Sequence, residues 1–526
     1  MDRNRIILLI NTIKHLKLKQ LFYQLFYRIR NKIFKKSYNY DFDREGDLIW
    51  QNKIFNDNSY KCDLRFSFLN IDHIFEDYVD WNYSNYGKLW TYNLNYFDFL
   101  NQNNISSKEG LQLIYSYIEN TTCIIDGKEP YPISLRGINW IKFLSQNKIE
   151  DIEINNHLFN NYKRLLDNLE YHILGNHLLE NGFSLYFGAF YFKEDKFYRQ
   201  ARKILINELD EQILSDGAHF ELSPMYHKIL LYRLLDCIQL TQNNEFSKDD
   251  LLRFLISKAE LMLGWLDTIS YSNGDIPLVN DSTNGIAPSS KDLFYYAEGL
   301  GIKWMKSELN SSGYRKFVNS DYELFIDVGE IGPSYQPGHA HSDTFSFELY
   351  VRNQPVIVDT GISTYEKNEL RQKQRSTSSH NTVELGSKNQ SEVWGGFRVG
   401  DRANIVSIKE KECYVEASHD GYKKLGLIHT RSFEALSRSI IIKDYFSKYS
   451  SLKKVFHLHF HPDISFVEVI DNEIKLIEWK VVIKLRNALN ITKTNYKYAL
   501  GFNLVKEAWK LEIEFDRELM TIIEIS

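Results

Sequence analysis

The hydrophobic pattern of the chain changes near residue 310. Before that point, from about residue 60, apolar residues recur three and four positions apart, as in NHLFNNYKRLLDNLEYHIL and DKFYRQARKILINELDEQIL. This spacing is that of one face of a helix, and short connectors with Gly, Asn, Asp or Pro separate about seven or eight such segments. The pattern predicts an array of α/α hairpins, either open or closed into a toroid.

Beyond residue 310, apolar and polar residues alternate, as in YELFIDVGEIG and VFHLHFHPDISFVEVI. Alternation with period two, punctuated by Gly, Asn, Asp and Ser, is typical of antiparallel strands with one buried face. The sequence therefore predicts a multidomain α+β protein. We place an N-terminal (α/α) toroid domain at residues 41–308 and a C-terminal antiparallel β-sandwich domain at residues 309–526.

Residues 1–40 are predicted to form a separate basic amphipathic helix. Residues 1–36 hold ten Lys or Arg and one Asp, with Leu, Ile, Phe and Tyr interleaved. Such a helix could pack on the protein with solvated lysines, lie on an acidic membrane surface, or dock on a partner. Its apolar run, Ile6 to Ile10, is too short for a signal-peptide core. No apolar run reaches the ~20 residues that span a bilayer, so we predict a cytoplasmic protein, with peripheral contact at the inner membrane as one alternative.

Composition narrows the classes of function. Hydrophobic residues make up 43% and charged residues 25% of the chain, and the net charge is −5, so no overall nucleic-acid signal exists. Aromatic residues are frequent at 14%, which fits either carbohydrate stacking or core packing. The four cysteines are far apart and form no CxxC pair, which argues against a zinc ribbon and favours a reducing compartment.

Three histidines and one aspartate mark the start of the strand region. His339 and His341 are two positions apart and can share one side of a strand. Asp359 ends the next strand-like run, and His380 opens a third. Imidazole and carboxylate ligands suit zinc, with calcium or another divalent ion as alternatives. We predict His341, Asp359 and His380 as metal ligands; the alternative is a hydrogen-bonded polar patch at the strand ends.

Two polar motifs in the helical half, NHLLENG and DGAHFELSPMYHKIL, carry further candidates. Ser223 suits an N-cap and Pro224 the first helical position, which places Tyr226 in the first turn, where a phenol can project into a cleft. The motifs also offer Asn176, His177, Glu180, Asn181, His219, Glu221 and His227. Of these, His177, Glu221 and His227 are predicted substrate contacts, together with Arg375 of the strand region.

Aromatic-rich stretches elsewhere offer further contacts for a sugar. Arg136 and Asn139 could donate hydrogen bonds to anionic or hydroxyl groups, and Trp394 follows the His380 strand. The alternative for all three is packing between helices or sheets.

The chain resembles the heparinase II/III family of polysaccharide lyases, which includes alginate-lyase-like proteins. The matching stretches run in the family's order from about residue 176 to 400: NHLLENG, DGAHFELSPMYH, PGHAHSDTFSFEL, VDTG and HNTVELGSKNQSEVWGGFR. The front part, with KLWTYNLNYFDFL and EPYPISLRGINW, is similar to the branch associated with bacterial surface-polysaccharide biosynthesis. The resemblance implies a helical toroid, a β-sandwich and a substrate cleft between them.

The resemblance also implies β-elimination at a uronic acid. Asn176 would face the uronate carboxylate, and Tyr226 and His339 would carry protons as base and acid. The three predicted metal ligands would hold zinc, as in the family's metal-bearing members. A phenol normally loses its proton near pH ~10, so Arg375, His227 or the metal would have to lower the pKa of a tyrosine base.

The resemblance leaves the substrate and two other functions open. The expected partner is an anionic polysaccharide or, because no export signal is evident, a nascent or lipid-linked glycan. A glycoside hydrolase would need two carboxylic acids about 5 to 9 Å apart, and Glu180 and Glu221 are the available pair. A non-catalytic glycan-binding subunit of a polysaccharide assembly system is the third alternative.

Overall fold

The computed structural model describes residues 3–34, 36–42, 46–246, 251–465 and 468–526. Within these ranges, helices fill most of the chain before residue 300. The α-helices are α1 (Arg3–Ile13), α2 (Leu18–Ile33), α3 (Lys88–Tyr96), α4 (Ser107–Glu119), α5 (Pro130–Asn147), α6 (Ile152–Asp167), α7 (Gly175–Phe192), α8 (Asp195–Gln212), α9 (Pro224–Asn243), α10 (Leu251–Ile269), α11 (Ser290–Gly299) and α12 (Glu369–Gln374).

Strands fill most of the chain after residue 313, and the first two lie within the helical part. They are β1 (Arg65–Phe68), β2 (Ile71–Ile74), β3 (Tyr314–Val318), β4 (Tyr322–Asp327), β5 (Phe347–Val351), β6 (Gln354–Ile357), β7 (Val383–Leu385), β8 (Val393–Trp394), β9 (Arg398–Val399), β10 (Ile405–Lys411), β11 (Tyr414–His419), β12 (His429–Ala435), β13 (Ser439–Phe446), β14 (Lys454–His459), β15 (Glu468–Ile470), β16 (Glu473–Leu476), β17 (Val481–Gly501) and β18 (Leu504–Ile525).

The helical part corresponds to the predicted (α/α) toroid, and helix α7 is deeply buried in it. This helix is apolar on nearly every face, and almost all of its residues are buried against α5, α8 and α9. A helix that is hydrophobic all round is stable only when other helices surround it. Helix α4 begins with a capping box: Ser106 Oγ accepts a hydrogen bond from the amide of Glu109, and Glu109 Oε2 accepts one from the amide of Ser106.

The strand part is the predicted antiparallel β-sandwich. Strands β3, β4, β5 and β6 form a four-stranded sheet in that order, and a ten-stranded sheet contains β10 to β13 followed by β18 and β17. The two sheets bury one apolar core between them, in which the ring of Phe347 lies 5.8 Å from that of Phe433. The predicted fold class is confirmed.

One long hairpin joins the two parts. Strands β17 and β18 contain 21 and 22 residues, and their connecting turn reaches the β1–β2 hairpin, which lies in a region predicted to be helical. Asn503 Nδ2 donates to the carbonyl of Leu69 at 3.0 Å, and Asn70 Nδ2 donates to that of Phe502 at 2.9 Å. The tip of the sandwich hairpin is thereby fixed to the helical part.

The predicted single helix over residues 1–40 is two helices, α1 and α2, with residues 1, 2 and 35 outside the described ranges. The break occurs because Lys17 adopts an extended conformation and its amide donates to Gln20 Oε1 at 2.9 Å, which starts a new helix. Helix α2 packs on the toroid, where the Tyr27 hydroxyl donates to the Leu169 carbonyl at 2.7 Å. Among the described residues, no helix is long and apolar enough to cross a bilayer.

Candidate active site and metal-ligand cluster

A cleft of about 1050 Å³ lies between the helical part and the strand part. Its size is at the upper end of the range for small-molecule sites, and it would accommodate a few sugar rings. Aromatic rings from both parts line it, a surface suited to stacking on sugar faces. They include Tyr92, Tyr96, Tyr131, Tyr226, Tyr232, Tyr365, Phe397 and Phe502.

Tyr226 and His339 meet in this cleft. The side chain of Ser223 accepts a hydrogen bond from the amide of Tyr226 at 3.3 Å, so the predicted N-cap of α9 is confirmed and the tyrosine lies in the first turn. The ring centroids of Tyr226 and His339 are 4.0 Å apart and the rings are tilted by 33°. A phenol from the toroid and an imidazole from the sandwich therefore face the same space.

His339 is held by a buried aspartate that the sequence did not single out. Its Nδ1 lies 2.9 Å from Asp281 Oδ2, and its Nε2 lies 3.5 Å from Glu221 Oε2 on the cleft. A carboxylate can only accept, so Asp281 fixes the proton of the neutral imidazole on Nδ1. The Nε2 lone pair is thereby presented to the cleft.

Asp281 also binds two other side chains. Arg371 Nη2 donates to its Oδ2 at 2.7 Å, and His341 Nε2 lies 2.9 Å from its Oδ1. Although burial opposes ionisation, the Arg371 guanidinium and the two histidines hold the pKa of Asp281 well below its ordinary value. This carboxylate, fully buried, is therefore an anion shared by the cleft histidine and its neighbour.

A second tyrosine contacts the phenol of Tyr226. The two hydroxyl oxygens of Tyr226 and Tyr365 are 3.1 Å apart, and the guanidinium of Arg371 lies 5.0 Å from the centre of the Tyr365 ring. Burial raises the pKa of Tyr226 above its ordinary value, despite the hydrogen bond with Tyr365. The phenol is therefore held in its protonated form at neutral pH.

Asn176, His177 and Glu221 lie on the same cleft. The amide of Asn176 donates to Glu221 Oε1 at 3.1 Å, and His177 Nδ1 lies 2.9 Å from Glu170 Oε1. Among the described residues, the side-chain amide of Asn176 has no hydrogen-bond partner, so it remains available to a ligand. Burial raises the pKa of Glu221.

Arg136 and Asn139 do not reach the cleft, and their predicted contact with sugar is corrected. Each is 1% exposed. Arg136 Nη1 donates to the carbonyl of Gly127 at 2.9 Å, and Asn139 Nδ2 donates to Asp98 Oδ1 at 2.6 Å. Buried carbonyl and carboxylate oxygens need donors, and these two side chains supply them inside the toroid.

Three other predicted substrate contacts also lie off the cleft and are corrected. His227 is buried, with Nε2 3.0 Å from a backbone carbonyl of α10. Arg375 is buried, and its Nη2 donates at 2.8 Å to the carbonyl of Ala340, the residue between His339 and His341 in the chain. The indole of Trp394 donates to Thr12 Oγ1 at 3.1 Å, so it joins the β-domain to α1. Each satisfies a polar contact within the fold.

The two carboxylates considered for a hydrolase do not flank the cleft together. Glu221 lines the cleft, whereas Glu180 is fully buried beneath it, with Oε1 3.6 Å from Arg233 Nε. A hydrolase needs both acids beside the same glycosidic bond. This pair does not provide that arrangement.

A cluster that could hold a metal ion lies next to the Asp281 carboxylate. One ligand atom from each of His341, Asp343 and His380 lies within 4.8 Å of the others, and all three residues are buried. Among the described residues, His341 Nδ1, Asp343 Oδ2 and His380 Nε2 have no hydrogen-bond partner. Buried polar atoms without partners are costly, so three such atoms facing one point fit a bound cation.

Asp343 takes the place that the sequence assigned to Asp359. The Asp359 carboxylate lies 2.7 Å from His380 Nδ1 and orients that ring, while Asp281 does the same for His341. Carboxylates behind ligating imidazoles are the usual outer contacts of a metal site. Burial lowers the pKa of His341 to about 3, which keeps it neutral as a ligand must be.

The fold and the site define a class of protein in which a helical toroid and an antiparallel β-sandwich share an aromatic cleft. A crystal structure of heparinase III has the same fold, with a TM-score of 0.66 over 86% of this chain and 80% of that chain at 17% identity. Residues 21–298 match the profile of the heparinase II/III N-terminus, and residues 302–511 match the heparinase II/III-like C-terminal profile. The chain belongs to the heparinase II/III family.

Two curated relatives are similar over part of the chain. A heparin-sulfate lyase of Pedobacter heparinus is 26% identical over 261 residues, which cover 44% of this chain and 39% of that protein. A heparin-sulfate lyase of Bacteroides stercoris is 28% identical over 250 residues, which cover 42% and 37%. The matched region spans about two-fifths of the length of these relatives.

Proposed function

We propose that the protein is a polysaccharide lyase that cleaves a uronic-acid-containing glycan by β-elimination. The observation that carries the proposal is the contact of Tyr226 and His339, with ring centroids 4.0 Å apart, on a cleft that also contains Asn176. The similarity to two heparin-sulfate lyases supports the same chemistry. The position of Glu180 outside the cleft disfavours hydrolysis.

His339 suits the role of the base. Asp281 accepts a hydrogen bond from Nδ1–H, so the lone pair of Nε2, 3.5 Å from Glu221 Oε2 on the cleft, would remove the C5 proton of the uronate. As that proton leaves, negative charge moves onto the sugar carboxylate. The free amide of Asn176 would donate to this carboxylate and stabilise the charge.

Tyr226 suits the role of the acid. Its phenol, kept protonated by burial, would give its proton to O4 as the C4–O4 bond breaks and the electron pair forms the C4–C5 double bond. Tyr365, 3.1 Å away, would orient the hydroxyl. After the product leaves, the proton that His339 took from C5 would pass to the Tyr226 phenolate, which restores both groups for the next turnover.

The elimination is tested by following two products at once. With a panel of uronate glycans, including heparan sulfate, alginate and the source organism's own surface polysaccharide, we expect ultraviolet absorbance from the new conjugated double bond to rise in step with new reducing ends. Reducing ends without absorbance would identify a hydrolase. Glycan binding without either product would identify a binding subunit.

We propose zinc as the ion held by His341, Asp343 and His380, because two imidazoles and one carboxylate suit it better than calcium. An ion bound there would brace the loop that carries His339 and leave the proton transfers to the cleft residues.

Metal analysis tests this assignment. The purified protein is expected to hold about one zinc per chain, which His341→Ala and Asp343→Asn both lose because each removes a ligand. His461→Ala, a histidine outside the cluster, should retain it. Zinc lost on Asp359→Asn but kept in full on Asp343→Asn would return the carboxylate ligand to Asp359.

The proposed substrate includes a nascent or lipid-linked form of the glycan at the inner face of the membrane, which would place the protein in the cytoplasm. A contact between the N-terminal helices and the cleft supports this. Gln336 lines the cleft, and its Oε1 accepts a hydrogen bond from Gln20 Nε2 of α2 at 3.3 Å. Helix α2 therefore contacts a residue of the cleft wall.

A further inference from the structure

Helix α2 differs from an ordinary surface helix because its apolar side faces solvent. The side of α2 that packs on the protein makes polar contacts: Gln20 Nε2 donates to the carbonyl of Ile173 at 3.0 Å, and the Tyr27 hydroxyl donates to that of Leu169 at 2.7 Å. A helix that packs through its polar side leaves its apolar side to solvent.

The outward side of α2 is a continuous apolar stripe. Leu18 is 84% exposed, Phe22 63%, Leu25 61% and Ile33 64%. These residues, with Ile29 between them, follow the three and four spacing of one helix face. Exposed apolar surface of this extent marks an interaction site rather than a scattered surface residue.

Basic side chains border the stripe. Lys19, Arg28 and Lys32 lie on α2, and Arg28 and Lys32 form no ion pair with any described residue. No acidic residue lies within α2. An apolar face flanked by lysine and arginine is the arrangement of helices that lie in the interface of an anionic bilayer.

We infer that α2 docks the protein on an anionic membrane surface, with the stripe Leu18, Phe22, Leu25, Ile29 and Ile33 embedded among the acyl chains. A second copy of the chain is a poorer occupant, because α2 contains no acidic residue and a symmetric pairing through the stripe would leave Arg28 and Lys32 without an opposite charge. Anionic headgroups would neutralise those cations instead. Docking of α2 on a membrane does not depend on which bond the protein breaks.

Vesicle flotation of the full chain tests the inference. We expect the protein to float with vesicles of phosphatidylcholine containing about one part in three phosphatidylglycerol, and to bind far less to phosphatidylcholine alone or at high salt. Phe22→Ser combined with Leu25→Ser should reduce binding about tenfold or more, because it removes two of the largest inserted side chains. Arg28→Gln combined with Lys32→Gln should reduce binding about tenfold on the anionic vesicles.

The control is a variant with two exposed apolar residues replaced elsewhere, Ile477→Ser with Leu489→Ser, which are 66% and 72% exposed. It should float like the unaltered protein, and all variants should keep the same thermal unfolding. Absence of flotation, or equal loss in the control, overturns the inference. The inference is also overturned if the protein binds no vesicles and sedimentation shows a dimer that dissociates when Phe22 and Leu25 are replaced. Turnover of a water-soluble glycan should be unchanged in the Phe22 and Leu25 variant. Failure of the docking proposal can therefore be distinguished from failure of the proposed elimination.

Discussion

Replacing Tyr226 with phenylalanine is expected to reduce turnover about a thousandfold while the protein stays folded. The change removes the hydroxyl that lies 3.1 Å from Tyr365 and leaves the ring that packs at 4.0 Å from His339. Loss of one hydrogen bond costs about 1 kcal/mol of unfolding free energy, so the thermal midpoint should move little. Initial rates from the double-bond absorbance, together with a melting curve, measure both effects.

Two further variants locate the effect on the phenol. Tyr131→Phe removes a hydroxyl from the same cleft but keeps the ring that lies 4.5 Å from His177, and it should retain most of the activity. His339→Ala should lose about as much turnover as Tyr226→Phe, because either proton carrier is needed for elimination. A normal rate in either proton-carrier variant would remove that residue from the mechanism.

Asp281→Asn is expected to lower both stability and turnover. It leaves the guanidinium of Arg371 buried without its anion, which costs about 3–5 kcal/mol. It also frees the Nδ1 proton of His339, so the imidazole no longer presents one tautomer to the cleft, and turnover should fall about a hundredfold. Chemical denaturation measures the first effect, and the rate per folded molecule measures the second.

The β-sandwich contains a matched control for this variant. Asp444 is also fully buried, and it accepts from Arg431 Nε at 2.7 Å and faces His429 Nε2 at 2.8 Å. Asp444→Asn should therefore cost similar stability but leave the rate per folded molecule unchanged. If both variants lose only stability, Asp281 has no part in positioning His339.

The fold followed from periodicity because the two parts of the chain bury their apolar residues in different ways. Apolar residues recur three and four positions apart in the toroid helices and alternate with polar residues in the sandwich strands. Both patterns can be recognised in the sequence without knowledge of the contacts. The start of α9 could also be predicted from the local sequence, since Ser223 and Pro224 are residue types typical of the N-cap and the first helical position. The β1–β2 hairpin was missed because DLRFSFLNIDHIF is short and surrounded by helical segments.

The site was predictable only where residues carry a local signal. His339, His341 and His380 stand out by type and spacing, but the choice between Asp343 and Asp359 depends on which carboxylate faces the imidazoles in space. Asp281 lies in the segment VNDST, which has no motif, and it meets its partners about sixty residues and ninety residues further along the chain. Contacts of that separation leave no periodic trace in one sequence.

The β17–β18 hairpin extends for about 70 Å at the usual rise per residue, and its far end supplies Leu500, Phe502 and Leu504 to the wall of the cleft. That wall is therefore built by a turn whose base is anchored in the sandwich. The ring of Phe502 in this turn lies 4.9 Å from that of Tyr365, which contacts the Tyr226 hydroxyl, so changes at Phe502 would also disturb Tyr226, whereas changes at Leu500 or Leu504 would alter the wall alone. In this architecture, the proposed selection of a glycan could be altered at Leu500 and Leu504 without changing the proposed proton carriers.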